Sequence, residues 1–278
     1  MNVKEITSSQ NPVFKDAVKK QQLKAAKAAG VFTVEGVRAV DEAIESGTQS
    51  RDASWEIESL WLSASFAGDN PGYAADLTRT KVPVYQVPDP LFRRLADTEH
   101  PQGVIGILKR QNFSLEEVFQ SLPEHPLVVV LENLQDPGNV GTILRTADAA
   151  GADAIFCTKG TCDVYSPKVV RSSMGSLLHV PVIPIPSVEA LKVGLMKKGI
   201  RLLAAHLMGE KAPWEADLSL GVALLIGNEG AGLSKEAAQA ADLLVKIPMP
   251  GQAESLNAGI AAGMLLYEAI RQRSSCQL

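Results

Sequence analysis

Three times in the second half of this chain an apolar run ends in a turn rich in Asn, Gly and acidic residues and then enters a helix. The segments are LENLQDPGNVGTILRTADAAG (131–151), IGNEGAG (226–232) and IPMPGQAESLNAGIAAGMLLYE (247–268). A run such as 127–131, apolar throughout, marks a strand buried on both faces of a parallel sheet. Open α/β sheets bind ligands at the turns beyond the carboxyl ends of such strands. Three turns of this design in one half of a chain point to one composite site.

From residue 126 the pattern predicts strands over 127–131, 153–157, 201–205, 222–226 and 243–247, and helices over 138–150, 166–174 and 255–273. This alternation predicts an α/β domain with a mostly parallel sheet covered on both faces. Before it, strands over 31–36, 59–63, 83–88 and 103–110 and a helix over 37–46, stopped by Gly47, read as a smaller α/β domain. Two prolines and a short helix candidate in 111–126 suggest a boundary, so the expected domains are 1–112 and 126–278 with a linker over 113–125.

Composition excludes several classes. Cys157, Cys162 and Cys276 are too few and wrongly spaced for a disulfide framework or a zinc site, and the reading is a reducing cytoplasm. No apolar run has the length of a bilayer span, so no membrane partner is expected. The formal charge of −4 argues against a general nucleic-acid coat. Residues 1–30, however, hold six lysines, Lys19, Lys20 and Lys24 among them, against Glu5 and Asp16. A solvated helix face and an RNA surface both fit that asymmetry.

In the first turn, Val140, Ile143, Leu144 and Ala147 recur at helical spacing and should face the sheet, while Arg145 lies off that stripe. A guanidinium there can grip a phosphate bidentately; equally, it can pair with Asp148 or Glu132. Asn133 and Asn139 can cap the helix or shape the turn. In the second turn the Gly spacing fails the dinucleotide fingerprint, and Glu229 is a carboxylate with no evident structural need. In the third, Ser255 stands where a cap is expected, Asn257 falls just inside the helix, and Leu256, Ile260, Met264 and Tyr267 form its apolar face. There is no Ser–His–Asp set, metal cluster or glycosidase acid pair. Amides, glycine backbone, one Arg and one Glu suit the positioning of a cofactor and an RNA sugar better than hydrolysis.

NVGTILRTADAAG, LLIGNEGAGLS and IPMPGQAESLNAGIAAGMLLYE resemble, in order and spacing, the three motifs of the SpoU/TrmH family of RNA ribose 2′-O-methyltransferases in the SPOUT superfamily. FTVEGVR (32–38) and QGV (102–104) more weakly resemble that family's substrate-binding domain of ribosomal-protein L30e type. The resemblance implies a C-terminal trefoil knot, S-adenosyl-L-methionine as cofactor and a homodimer with its sites at the subunit interface; from the residues themselves, no metal is expected. It implies that Gly227, Ile247 and Leu256 contact the cofactor and that Asn139, Arg145, Glu229, Ser255 and Asn257 are the catalytic set. Glu35, Arg38, Lys19, Lys20 and Lys24 are the expected RNA-binding residues. An L30e-like appendage points to 23S-type ribosomal RNA as substrate; a tRNA 2′-O-methyltransferase and a non-catalytic RNA-binding or ribosome-assembly factor are the competing readings. Arginine stays protonated at working pH. Arg145 is therefore expected to stabilise charge rather than act as base.

Overall fold

The computed structural model describes residues 3–49, 55–110 and 113–275. These cluster into two compact units, 1–111 with 165–171, and 112–164 with 172–278.

The first unit is built on a mixed sheet of β1 (Lys4–Glu5), β2 (Val31–Glu35), β3 (Trp55–Ser63), β4 (Val84–Val87) and β5 (Val104–Arg110), ordered β1-β4-β3-β5-β2. β5 pairs antiparallel with both β2 and β3, whereas β4 is parallel to β1 and β3. One face packs Phe14, Trp61, Phe92, Leu95, Ile105 and Ile107 into a core. The helix Val37–Gln49 runs past Gly47, which therefore does not stop it. A Cβ at that glycine would lie 2.8 Å from the Trp55 ring, so the residue makes room for an indole instead of ending the helix.

The second unit holds six strands, β6 (Leu127–Leu131), β7 (Ala154–Thr158), β8 (Val182–Ile185), β9 (Arg201–Ala205), β10 (Val222–Ile226) and β11 (Leu243–Val245), ordered β11-β9-β10-β6-β7-β8 and parallel at every pairing. Every residue of β6, β7 and β10 is buried, as strands covered on both faces must be. One face packs Val128, Val130, Phe156 and Leu225 against Leu191, Leu195 and Val118. Val118 belongs to the helix Leu115–Ser121, which begins at a Ser114–Glu117 capping box. The stretch expected as a linker thus carries a helix docked in the core of the second unit.

Along the sheet, β6, β7 and β8 run outward in one direction, while β10 flanks β6 on the other side. The order reverses between β6 and β10, which makes their carboxyl ends a topological switch point. The helix Pro137–Ala149 leaves β6 with Asp136 as N-cap and Pro137 in its first turn, and buries Val140, Ile143, Leu144 and Ala147 as the periodicity predicts. Full burial of each of its larger side chains is worth about 1.5–3 kcal/mol. The helix Ala258–Ser275 packs on it and on β10.

That last helix corrects two expectations. It begins at Ala258, and its cap is Asn257: Asn257 Oδ1 accepts the N–H groups of Gly259 and Ile260 at 2.9 and 3.3 Å. Ser255 lies upstream in the exposed loop. The buried face consists of Ala258, Ala262, Leu265, Leu266 and Ala269, while Ile260, Met264 and Tyr267 are 52, 46 and 70 % exposed. The small residues let this helix sit close to its neighbours, which turns the bulkier stripe outward.

Candidate active site

Glu229 sits in a tight turn closed by reciprocal backbone hydrogen bonds between Asn228 and Gly232, both 3.0 Å. The turn needs Gly227: a Cβ there would meet Leu233 N at 2.6 Å and the Gly232 carbonyl carbon at 2.7 Å. Asn228 shapes it from inside, its Oδ1 accepting Gly230 and Ala231 N–H at 2.9 Å each.

The Glu229 carboxylate reaches across the switch point. It accepts the backbone N–H groups of Gln135 (3.2 Å) and Asp136 (3.0 Å) and the Asn139 side-chain amide (3.1 Å). Burial pushes this carboxyl up, but the Asn139 amide and the backbone donors outweigh it and hold the group below the ordinary carboxylate range. Asn139 Oδ1 in turn accepts Asn257 Nδ2 at 2.8 Å. A carboxylate only accepts, so Asn139 must present its NH2 to Glu229 and its oxygen to Asn257. Asn257 must keep its own oxygen for the helix cap. One polar chain, Glu229–Asn139–Asn257, therefore fixes both amides and ties together all three turns.

A cavity of about 440 Å³ opens at the carboxyl ends of β9, β10 and β11. Gly227, Glu229, Ile247, Ser255 and Leu256 line it, so all three expected cofactor contacts and two expected catalytic residues share one pocket. His206, Leu207 and Met208, after β9, form another wall that the motif reading missed. The signal that points to them is the carboxyl end of a strand next to β10, with no polar signature of its own.

Arg145 lies exposed on the helix Pro137–Ala149 and makes no hydrogen bond or ion pair among the described residues. Both partners considered for it bond elsewhere: Asp148 Oδ2 to His179 Nδ1 at 2.9 Å, and Glu132 Oε2 to Ser234 N at 3.0 Å. The polar chain does not include it. The thiols are no rivals as nucleophiles, since burial pushes Cys157 up to about 12 and Cys162 to about 11. Cys276 lies outside the described residues.

In the first unit, Lys19, Lys24 and Arg38 are exposed. Lys20 is not a free cation: its ammonium bonds Asp16 at 2.7 Å and also Glu58, with its side chain only 15 % exposed. Burial lowers its pKa, but the hydrogen bonds it donates to both acids more than reverse this. Glu35 is likewise occupied, accepting Asp97 N at 3.0 Å, Thr98 N at 3.4 Å and the Thr98 hydroxyl. It fastens a loop and has little left to offer RNA.

Residues 126–267 match the SpoU rRNA Methylase family, and residues 11–106 match the MRM3-like substrate binding domain. The chain is 32 % identical to the 23S rRNA (guanosine(2553)-2′-O)-methyltransferase RlmP of Bacillus subtilis, over 95 % of this chain and 98 % of that one. It is 35 % identical to the 23S rRNA (uridine(2479)-2′-O)-methyltransferase of Streptomyces viridochromogenes, over 89 % and 85 %. Among solved structures, the AdoMet-bound rRNA methyltransferase of Sinorhizobium meliloti superposes with a TM-score of 0.82 at 34 % identity, covering 97 % of this chain and 98 % of that one. The protein belongs to the SpoU rRNA methylase family.

Proposed function

We propose that this protein transfers a methyl group from S-adenosylmethionine to a ribose 2′-oxygen of RNA, with 23S-type ribosomal RNA as substrate. One observation carries the reading: Glu229 lines the cavity and also anchors the Asn139–Asn257 chain, so a bound methyl donor and the polar groups that align a ribose share one carboxylate.

The cavity suits that cofactor. Ile247, Met249 and Leu256 offer apolar walls, and the Gly227 turn brings backbone amides to its edge without an intervening side chain. When bound, S-adenosylmethionine supplies a methyl carbon made electrophilic by a positively charged sulfur. The chain's own residues supply alignment, which for an in-line displacement accounts for much of the acceleration. Asn139 and Asn257, their amides fixed by Glu229 and by the helix cap, would hold the ribose. Arg145, left free by its neighbours, would grip the adjacent phosphate and stabilise negative charge on the 2′-oxygen as its proton passes to water and the methyl leaves the sulfonium, which becomes a neutral thioether.

The same reading extends to assembly and topology. Ile260, Met264 and Tyr267 recur at i, i+4 and i+7 on the helix that follows Asn257. A stripe so placed suits a second copy of this chain, and a homodimer with sites beside the interface is the proposed state. A trefoil knot is proposed through the loops after β10 and β11, which line one cavity before the last helix turns back onto the helix Pro137–Ala149. The chain would work in the cytoplasm, where ribosomal RNA matures.

Mapping ribose methylations in total RNA before and after deletion of the gene tests the substrate. Loss of one 2′-O-methyl mark from large-subunit ribosomal RNA is expected. Loss from tRNA alone, or no loss, would refute it.

A further inference from the structure

The turn that carries Glu229 spans 227–233, and both of its ends meet one buried residue. Glu132 N–H donates to Ile226 O, immediately before the turn, at 2.9 Å. Glu132 Oε2 accepts the N–H of Ser234, immediately after it, at 3.0 Å. Resting on the cofactor reading above, we propose that Glu132 is a positioning residue: a clasp that closes the base of this loop and holds it in the shape that binds S-adenosylmethionine.

Burial is the first argument. Glu132 is only 5 % exposed, and a carboxylate at such a place is costly unless its oxygens are used. An apolar side chain would fill the space without that cost. What the carboxylate adds is an acceptor for Ser234 N–H, with the Asn133 amide against its other oxygen at 3.4 Å.

Its place in a ladder is the second. Above Glu132, Asn228 Nδ2 donates to Asn133 O at 2.7 Å; above that, Glu229 takes Gln135, Asp136 and Asn139. The loop is laced to the segment after β6 from base to tip, and Glu132 is the lowest rung. The loop's ends, Gly227 and Leu233, both line the cavity. Opening the base would spread them and reshape the wall against which the cofactor lies, while leaving the upper rungs that hold Asn139. The role therefore belongs to cofactor affinity more than to the chemical step.

Calorimetric titration of S-adenosylmethionine into the wild type and the Glu132→Gln and Glu132→Ala variants tests this, with KM, kcat and Tm measured alongside. Loss of a hydrogen bond to a charged group predicts roughly 10–100-fold weaker binding for Glu132→Ala and a matching rise in KM for the cofactor, with kcat at saturation within about threefold. Glu132→Gln keeps an acceptor oxygen and should bind within about threefold of wild type. A second pair guards against misfolding: Ser234, at φ −62°, accepts proline's geometry. Ser234→Pro removes the N–H and should behave like Glu132→Ala; Ser234→Ala removes only the hydroxyl that caps Ala237 and should bind normally. Normal binding by Glu132→Ala and Ser234→Pro overturns the clasp, as does a fall in Tm with unchanged affinity. Equal loss in Glu132→Gln and Glu132→Ala overturns it in favour of a charge effect. Failure of the wild type itself to bind would instead refute the cofactor reading, and the clasp with it.

Discussion

Asn257 Nδ2 donates to Asn139 Oδ1 at 2.8 Å, joining residues 118 positions apart in sequence across the two helices that frame the site. The bond has one possible direction, because Glu229 takes the NH2 of Asn139 and the helix cap takes the oxygen of Asn257.

Asn139→Asp should therefore be more harmful than its size suggests. It replaces a donor with a second carboxylate beside Glu229, and like charges at that distance disfavour ionisation of both. Methyl transfer should fall by about 100-fold or more, the scale seen when a positioned polar group is lost, while cofactor binding by calorimetry stays near wild type.

Glu229 gives a pH prediction whose sign is set. Its carboxyl is held below the ordinary range when folded, so the stability it contributes is present above the unfolded value of about 4.3 and is lost as pH falls through the lower folded value. Acid unfolding of the wild type should be steeper in that window than that of Glu229→Gln. Between pH 6 and 8 the group stays ionised, so a variant lacking it should keep the wild type's pH–rate shape at a lower rate.

Gly227→Ala tests the turn. The added Cβ would meet backbone atoms at 2.6–2.8 Å, which cannot rotate away as a flexible side chain would. Cofactor affinity should drop by roughly tenfold or more, corresponding to about 1.4 kcal/mol. Titration with S-adenosylmethionine reads it directly.

These residues divide sharply in how readable they were from sequence. The strands over 201–205 and 222–226 are legible to the residue: 222–226 is an unbroken, fully buried apolar run, and 201–205 has a buried apolar centre after the exposed Arg201. β8 was missed because Pro184 sits inside it; a proline is admitted there because β8 is the sheet's edge. Ser255 and Asn257 are both good caps two residues apart, and only the helix start at Ala258 decides between them. Asp16, one helical turn before Lys20, is a local mark of its pairing, but nothing local marks Glu58, which reaches it from β3. Glu229 likewise has no local partner in sequence: Gln135, Asp136 and Asn139 meet it from the segment after β6, 90 to 94 residues away.

The basic face can now be dissected. Lys19→Glu with Lys24→Glu should weaken RNA binding and reduce the slope of log affinity against log salt by about 2. Lys20→Glu should instead lower thermal stability, since it sets a third carboxylate beside Asp16 and Glu58. Filter binding across a salt series, with Tm alongside, distinguishes the two.

Arg273 closes the far end of the last helix, donating to the carbonyls of His125, Pro126, Leu218 and Leu220 at 2.7–3.1 Å. Arg273→Met should cost about 2–4 kcal/mol, because four carbonyls lose a charged donor together. Urea unfolding should show a lower midpoint.

The central claim is methyl transfer to a ribose oxygen aligned by Glu229, Asn139 and Asn257. The most direct measurement uses purified protein, S-adenosylmethionine with a labelled methyl group, and unmodified 23S-type ribosomal RNA, followed by nuclease digestion and mass spectrometry. A single labelled 2′-O-methylnucleotide, absent with Asn139→Asp, is the predicted result. Label on a base, or unchanged ribose labelling with Asn139→Asp, would contradict the account.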